Sequence, residues 1–235
     1  MVGGVNGAGW KLEAGGWRSA THAVLDLLLP AVCPLCREAR GPELCAACHT
    51  LLPALLDPCP LCAMPRPEAP CRTCRDDGLI HLDAVQAAFA YRTALRQLVG
   101  DAKAGARPSA IAALAPLLPL PATPVDAVVA VPPSPGRRPG PHLATACARL
   151  AARRLGVPLL APLSCTRHAR EQHRLSRAER SRNVVGLFAC SGRMPERLLL
   201  VDDILTSGAT ASAAAAALRA NGAKHVVASF LCRTL

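Results

Sequence analysis

Residues 198–210 read LLLVDDILTSGAT, and this stretch decides which fold the sequence predicts. Four apolar residues, Leu198 to Val201, predict a strand that is buried on both faces. Two carboxylates, Asp202 and Asp203, follow the apolar run, and Thr206-Ser207-Gly208-Ala209-Thr210 then opens a predicted helix. In α/β proteins, ligands bind where strands end and helices begin. The stretch therefore predicts a ligand site in such a fold.

The residue types in this stretch favour a phosphorylated ligand. Unpaired backbone N–H groups at a helix N-terminus attract anions, and the helix dipole adds to the attraction. Ordinary helix capping needs a single polar residue, whereas this turn offers the hydroxyls of Thr206, Ser207 and Thr210. Two carboxylates would repel a bare phosphate, so they indicate a ligand that also carries vicinal hydroxyls or a divalent cation. Acids buried in ion pairs beside a turn closed to solvent would contradict such a site.

Strand and helix patterns alternate throughout the second half of the chain. The patterns predict strands over 85–91, 125–131, 198–201 and 225–231, and helices over 93–104, 109–118, 142–155 and 209–220. This alternation predicts an α/β fold, a parallel sheet with helices on both faces. Ligands bind such sheets at the carboxyl ends of the strands.

Eight of the twelve cysteines form two groups with the same spacing, C-x2-C-x8-C-x2-C, displaced by 26 residues. The first cysteine group is Cys33, Cys36, Cys45 and Cys48, and the second cysteine group is Cys59, Cys62, Cys71 and Cys74. Two C-x2-C turns complete a tetrahedron around one zinc ion, so we expect about two structural zinc ions. The spacing leaves open whether each ion takes one group or the groups interleave. A disulfide framework is the less favoured alternative.

Single residues around the two groups carry weaker interpretations. His49 follows Cys48 and is either a stray metal ligand or, as we favour, a surface histidine. The four remaining cysteines have small or apolar neighbours and are expected to be buried as small hydrophobes. They are Cys147, Cys165, Cys190 and Cys232.

Composition divides the chain into three parts. Residues 1–17 are rich in glycine and are expected to be disordered. Residues 18–78 hold a predicted helix over 19–29 and the double cysteine module. Residues 79–235 form the predicted α/β domain, because the composition shifts to alanine, leucine and valine after a turn at 76–78.

Overall composition excludes several classes of protein. The chain has 235 residues, of which 51% are hydrophobic, so it is not a disordered chain. No apolar run approaches the roughly 20 residues that a membrane-spanning helix needs, and we expect a soluble cytoplasmic protein. The net charge of +11 allows a general attraction to polyanions. Aromatic residues make up only 3% of the chain, which leaves few stacking platforms for single strands.

The stretch 198–210 resembles the phosphoribosyl pyrophosphate (PRPP) motif of type I phosphoribosyltransferases. From about residue 24 onward the chain resembles the ComF/GntX family, in which a cysteine zinc module precedes a phosphoribosyltransferase domain. Residues 101–105 (DAKAG), 131–134 (VPPS) and several positions between Arg167 and Phe188 carry further similarity. After 131–134 the family has an Arg-Gly-Phe-Asn-like segment, and this chain has RPGPH at 138–142 instead.

This resemblance implies a PRPP site. Asp202 and Asp203 would hydrogen-bond the ribose hydroxyls, and residues Thr206 to Thr210 would cradle the 5′-phosphate. Pro133 and Ser134, with Arg137 or Arg138 nearby, would hold the pyrophosphate, and Mg²⁺ would bridge its oxygens. Lys103 joins the two aspartates as a candidate catalytic residue, and the basic segment 167–182 is a further electrostatic candidate. The implied reaction displaces pyrophosphate with a nitrogen nucleophile of an unidentified acceptor.

The same resemblance supports an alternative without catalysis. In this alternative the protein is a competence or DNA-uptake partner that binds PRPP or a nucleotide. Its partners would be proteins of the competence machinery and single-stranded DNA. The alternative stays open because no base-recognition residues stand out, and one fold hosts many functions.

Overall fold

The computed structural model describes residues 31–65, 71, 74, 79–104, 108–134, 140–166 and 186–235. Several expectations fall outside these residues. They are the disorder of 1–17, the helix over 19–29, the turn at 76–78 with the domain boundary near it, Arg137, Arg138 and the basic segment 167–182.

Five helices and seven strands are described. The helices are α1 (Ala46–Thr50), α2 (Thr93–Lys103), α3 (Pro108–Leu114, continued by a 3-10 turn over Ala115–Leu117), α4 (Leu143–Leu155) and α5 (Ala209–Ala220). The strands are β1 (Ala84–Ala90), β2 (Ala127–Ala130), β3 (Leu159–Leu160), β4 (Leu163–Cys165), β5 (Phe188–Cys190), β6 (Arg197–Leu205) and β7 (His225–Arg233). Gly156 ends α4 in the left-handed conformation expected of a C-terminal glycine.

Five of the strands form one parallel sheet in the order β1-β7-β6-β2-β3. Side chains alternate between its faces, as they must along a strand. Leu198 and Leu200 of β6 pack in the same core as Ala214 of α5. Leu199 and Val201 face the opposite core, which contains residues of α2, α3 and α4. This confirms the predicted α/β fold, with helices on both faces of a parallel sheet.

The strand β6 is longer than its apolar run predicted. Its pairing with β7 continues through Asp202↔Phe230 to Leu205↔Arg233. The two acids therefore lie in the last part of the strand, which is still paired with β7, rather than in a loop after it. Polar side chains look like a loop in the sequence, but backbone hydrogen bonds to β7 hold these residues in the strand.

Residues that follow the first cysteine group cover the outer edge of β1. Leu55 N–H donates to Ala88 O at 2.9 Å, and Ala90 N–H donates to Pro53 O at 2.7 Å. Val85 N–H donates to Pro60 O, inside the second cysteine group, at 2.7 Å. A covered edge cannot pair with another chain.

Among the described residues no helix is both long and apolar enough to cross a bilayer.

Candidate ligand-binding and metal sites

A cavity of about 410 Å³ lies at the carboxyl ends of β2 and β6. This volume is in the range of small-molecule sites. Seven residues that the sequence nominated line it together: Lys103, Pro133, Ser134, Asp202, Asp203, Thr206 and Thr210. Because β2 and β6 are hydrogen-bonded neighbours, their carboxyl ends bring these groups to one place.

Asp203 is the more buried of the two acids and forms an ion pair. Its Oδ1 lies 2.8 Å from Lys103 Nζ, with the Asp203 side chain 5% exposed and the Lys103 side chain 38% exposed. The other oxygen, Oδ2, is buried and has no hydrogen-bond partner among the described residues. Lys103 therefore brings a positive charge from the end of α2 to the cavity.

Asp202 points to the other face of the strand and lines the same cavity. Its Oδ1 accepts a hydrogen bond from the Asp203 N–H at 2.8 Å. Burial and the neighbouring Asp203 charge raise the pKa of Asp202 to about 7, against the lowering effects of that N–H and of Lys103. Near neutral pH this carboxyl can therefore either accept or donate a hydrogen bond.

Acids buried in ion pairs beside a turn closed to solvent would contradict a ligand site, and the structure shows only part of this arrangement. Asp203 is buried in an ion pair, whereas Asp202 is only partly buried and Thr206 and Ser207 are exposed. The turn after the strand is therefore open to solvent. The arrangement keeps one acid and the turn accessible to a ligand.

The turn 206–210 is shaped by a close contact at Gly208. This residue precedes α5 with φ of +81°, a left-handed conformation that favours glycine. A Cβ at this position would lie 1.7 Å from Leu79 Cδ2, so the leucine occupies the space of a side chain. Thr206 and Thr210, the first and last residues of the turn, line the cavity. Ser207 and Ala209 lie between them, and the Ala209 N–H donates to Ser207 Oγ at 3.5 Å.

Other lining residues were missed by the sequence-based reasoning. His142 precedes α4, and its Nδ1 forms a 3.0 Å hydrogen bond with Thr145 Oγ1. Leu187, just before β5, and Phe188 of β5 form an apolar wall of the cavity. The histidine could have been found, since it stands at the predicted start of a helix. The wall could not, because three-residue strands leave no periodic pattern.

Each cysteine group gathers its four sulfur atoms in one place. The ligand atoms within each group lie within 4.8 Å of one another. Individual Sγ–Sγ distances are 3.9 Å for Cys36–Cys45, 3.4 Å for Cys59–Cys74 and 3.6 Å for Cys62–Cys71. A zinc tetrahedron with Zn–S bonds of about 2.3 Å has edges of about 3.8 Å. Two contiguous groups therefore fit about two zinc ions, and the interleaved alternative is wrong.

Within the first cysteine group, hydrogen bonds favour the thiolate form at Cys33, whereas burial and the neighbouring sulfur atoms raise the pKa of Cys48 to about 12. The Cys45 N–H lies 3.5 Å from Cys33 Sγ. Burial raises the pKa of Cys33, but hydrogen bonds from this N–H and from those of Cys36 and Leu35 lower it by more. The pKa of Cys33 is therefore lowered to about 6. His49 is exposed and is not part of the sulfur group. The histidine is therefore a surface residue, as favoured above.

The four remaining cysteines divide into two kinds. Cys147 and Cys232 are fully buried, as expected, and burial raises the pKa of each to about 12, with a further contribution from the Asp203 charge. Cys165 and Cys190, on β4 and β5, are only partly buried and pack against the core, so the expectation that they are buried is wrong for these two.

No known family model matches the chain. The chain is similar to a DNA utilization protein, YhgH, of Salmonella typhi. The two are 30% identical over 233 residues, which cover 89% of this chain and all of the relative. The chain therefore belongs to the ComF-like family of the DNA utilization protein YhgH.

Proposed function

We propose that the cavity binds PRPP with Mg²⁺ and that the protein transfers the phosphoribosyl group to a nitrogen acceptor. One observation carries this proposal. Two adjacent acids, a lysine and the two threonines of the turn before α5 line a single cavity at the carboxyl end of a parallel sheet. Acids suit the hydroxyls of a sugar, and helix N-termini suit a phosphate.

The ribose would lie over the end of β6. Asp202 carries the oxygen best placed to accept hydrogen bonds from vicinal hydroxyls, because it lines the cavity and has no ion-pair partner among the described residues. Asp203 would act mainly by holding Lys103, with which it pairs. The 5′-phosphate would accept hydrogen bonds from the hydroxyls of Thr206 and Thr210 and from N–H groups of the turn between them.

The pyrophosphate would lie toward the end of β2. Ser134 supplies a hydroxyl donor there, and Lys103 supplies a positive charge near the leaving group. The hard carboxylate oxygens of the acid pair suit Mg²⁺, which prefers a few carboxylates together with waters and substrate phosphates. When bound, Mg²⁺ would neutralise the charge of the pyrophosphate.

In the proposed reaction the acceptor nitrogen forms a bond to C1 as the C1–O bond to pyrophosphate breaks. The bonding electrons leave with the pyrophosphate, and the proton lost by the nitrogen passes to solvent. The protein contributes position and electrostatic stabilisation. Lys103 stabilises charge that grows on the leaving oxygen, and the apolar wall of Leu187 and Phe188 limits the access of water.

Thermal unfolding with PRPP and Mg²⁺ tests the binding step. A ligand that binds only the folded state at 100 times its Kd stabilises it by about 2.7 kcal/mol, so Tm should rise. We expect Asp202→Ala to abolish the rise and Asp126→Ala to retain it. Asp126 is a matched control, since this acid pairs with Arg197 at the opposite end of the sheet. A wild-type protein whose Tm is unchanged by PRPP would refute the proposal.

A pyrophosphate-release assay with a panel of nucleobases and amines tests the transfer step. Release that depends on both an acceptor and Asp202 would support the enzyme. Binding of PRPP without release by any acceptor would favour the second candidate function.

The second candidate is a role in DNA uptake or utilization without catalysis, as a partner protein that binds PRPP or a nucleotide. The name of the similar Salmonella typhi protein favours it. The test is growth on DNA, or transformation, in a strain that lacks the gene. Rescue by a variant that binds PRPP but releases no pyrophosphate would support this role, and a strain without any defect would refute it.

A further inference from the structure

The contact between Leu79 and Gly208 joins two parts of the chain that are 129 residues apart by their numbering. Leu79 is 8% exposed, and its Cδ2 occupies the position that a Cβ of residue 208 would need. Gly208 is the N-cap residue of α5 and the centre of the turn 206–210. The leucine therefore lies directly behind the turn that faces the cavity.

Leu79 belongs to the same core as the second cysteine group. Cys59, Cys62 and Ala63 are buried in this core, and Cys71 and Cys74 pack against it. The core also contains Leu205, which ends β6, and Ala211 in the first turn of α5. One continuous apolar cluster therefore runs from the second cysteine group to both ends of the turn.

The first cysteine group differs in this respect. Within the described part of the chain, none of its four cysteines belongs to either of the two cores of the sheet. The two metal sites have the same spacing in sequence but different structural surroundings. Only the second one packs behind the cavity.

The chain after Leu79 is held along the length of α5. Arg219, in the last turn of this helix, donates from Nε to His81 O at 2.9 Å and from Nη2 to Asp83 Oδ2 at 2.6 Å. Segment 79–83 thus contacts the N-cap residue of α5 through Leu79 and the last turn of α5 through His81 and Asp83. On the N-terminal side of Leu79, Cys74 lies five positions earlier in the chain and is the last member of the second cysteine group.

We propose that Leu79 is a positioning residue that couples metal occupancy of the second cysteine group to the conformation of the turn 206–210. The part that concerns ligand affinity rests on the function proposed above. A glycine at φ of +81° has many alternative conformations, and the leucine side chain restricts them by filling the adjacent space. Loss of metal from the second cysteine group would loosen the shared core, release Leu79 and disorder the turn.

Hydrogen exchange of the full-length protein tests the coupling without any ligand. We expect Leu79→Ala to raise amide exchange in the peptide 205–211 at least tenfold. Leu114→Ala is the control, because this fully buried leucine lies in the core of the opposite face and loses the same atoms. Unchanged exchange in Leu79→Ala, or an equal rise in Leu114→Ala, would overturn the proposal.

Metal variants test the second half of the proposal. We expect Cys59→Ser to raise exchange in 205–211, and Cys33→Ser to leave it unchanged. If Cys59→Ser does not fold, a chelator is used instead. It removes zinc from the wild type and from Cys33→Ser, and exchange in 205–211 is measured before and after. Equal effects from the two cysteine groups, or no effect from the second, would overturn the coupling.

PRPP affinity provides a separate readout. If the wild type binds PRPP, we expect Leu79→Ala to weaken binding about tenfold and Leu114→Ala to leave it nearly unchanged. Equal affinity of Leu79→Ala and wild type would overturn the proposal. If the wild type does not bind PRPP, the proposed function fails, and the exchange measurements alone decide whether Leu79 positions the turn.

Discussion

Replacing Lys103 with methionine is expected to destabilise the fold through its effect on Asp203. The Nζ–Oδ1 distance is 2.8 Å, and the Asp203 side chain is 5% exposed. At this distance and an effective dielectric constant of about 20, the attraction is about 6 kcal/mol before desolvation is counted. Burial of the two charges costs several kcal/mol per ion, so the intact pair contributes little in net terms.

The methionine variant loses the attraction but keeps the cost of burying the carboxylate. Breaking a buried pair in this way costs about 3–5 kcal/mol. The Lys103 side chain is 38% exposed, so solvent already screens the pair, and we expect a loss near the lower limit, about 3 kcal/mol. Asp203→Asn removes the buried charge itself and leaves a lysine that water can reach. We therefore expect a smaller loss from Asp203→Asn, about 1 kcal/mol.

Urea unfolding of the wild type, both single variants and Lys103→Met/Asp203→Asn measures the coupling. The double variant should be more stable than Lys103→Met alone, with an interaction energy of about 1–3 kcal/mol. Additive losses in the cycle would show that the two side chains do not interact in solution. The assignment of Lys103 to the cavity would then be wrong.

Three further predictions concern the metal groups, the acid pair and the turn. Elemental analysis should find about two zinc ions per chain, and a chelator should lower Tm, whereas metal-free protein with an unchanged Tm would contradict the site. The pKa of Asp202 is raised to about 7, so its ionisation destabilises the fold increasingly as pH rises from about 4 to 7. Asp202→Asn should therefore raise the free energy of unfolding at pH 8 and not at pH 4, as measured in urea. Gly208→Ala should cost about 2–5 kcal/mol, from left-handed strain and overlap with Leu79. Leu79→Ala in the same chain should recover part of that cost in a double-mutant cycle, and full additivity would argue against the contact.

Elements with strong local patterns are predicted well from the sequence. The helix α5 has the predicted bounds, because Gly208 and Asn221-Gly222 enclose an alanine-rich run and alanine has the highest helix propensity. The short strands β3, β4 and β5 were not predicted, since two or three residues carry no periodicity. They exist because partner strands supply their hydrogen bonds.

The candidate site was predicted in its composition and only partly in its geometry. Asp202, Asp203, Thr206 and Thr210 are neighbours in the chain, so their meeting in one cavity follows from a strand that leads into a helix. The different environments of Asp202 and Asp203 do not follow from their positions in the sequence. Both acids line the cavity, but only Asp203 forms an ion pair with Lys103. Which acid meets the lysine depends on the helix that packs on that face of the sheet.

The sequence by itself determined the two cysteine groups, the alternation of strands and helices, and the acid pair ahead of a glycine turn. Each of these depends on spacing over a few residues, where chain geometry leaves little choice. Only the tertiary structure decided which distant residues meet. Lys103 reaches an acid 100 residues away, and Leu79 fills the space beside Gly208, because close packing brings particular side chains together and no local pattern encodes that choice.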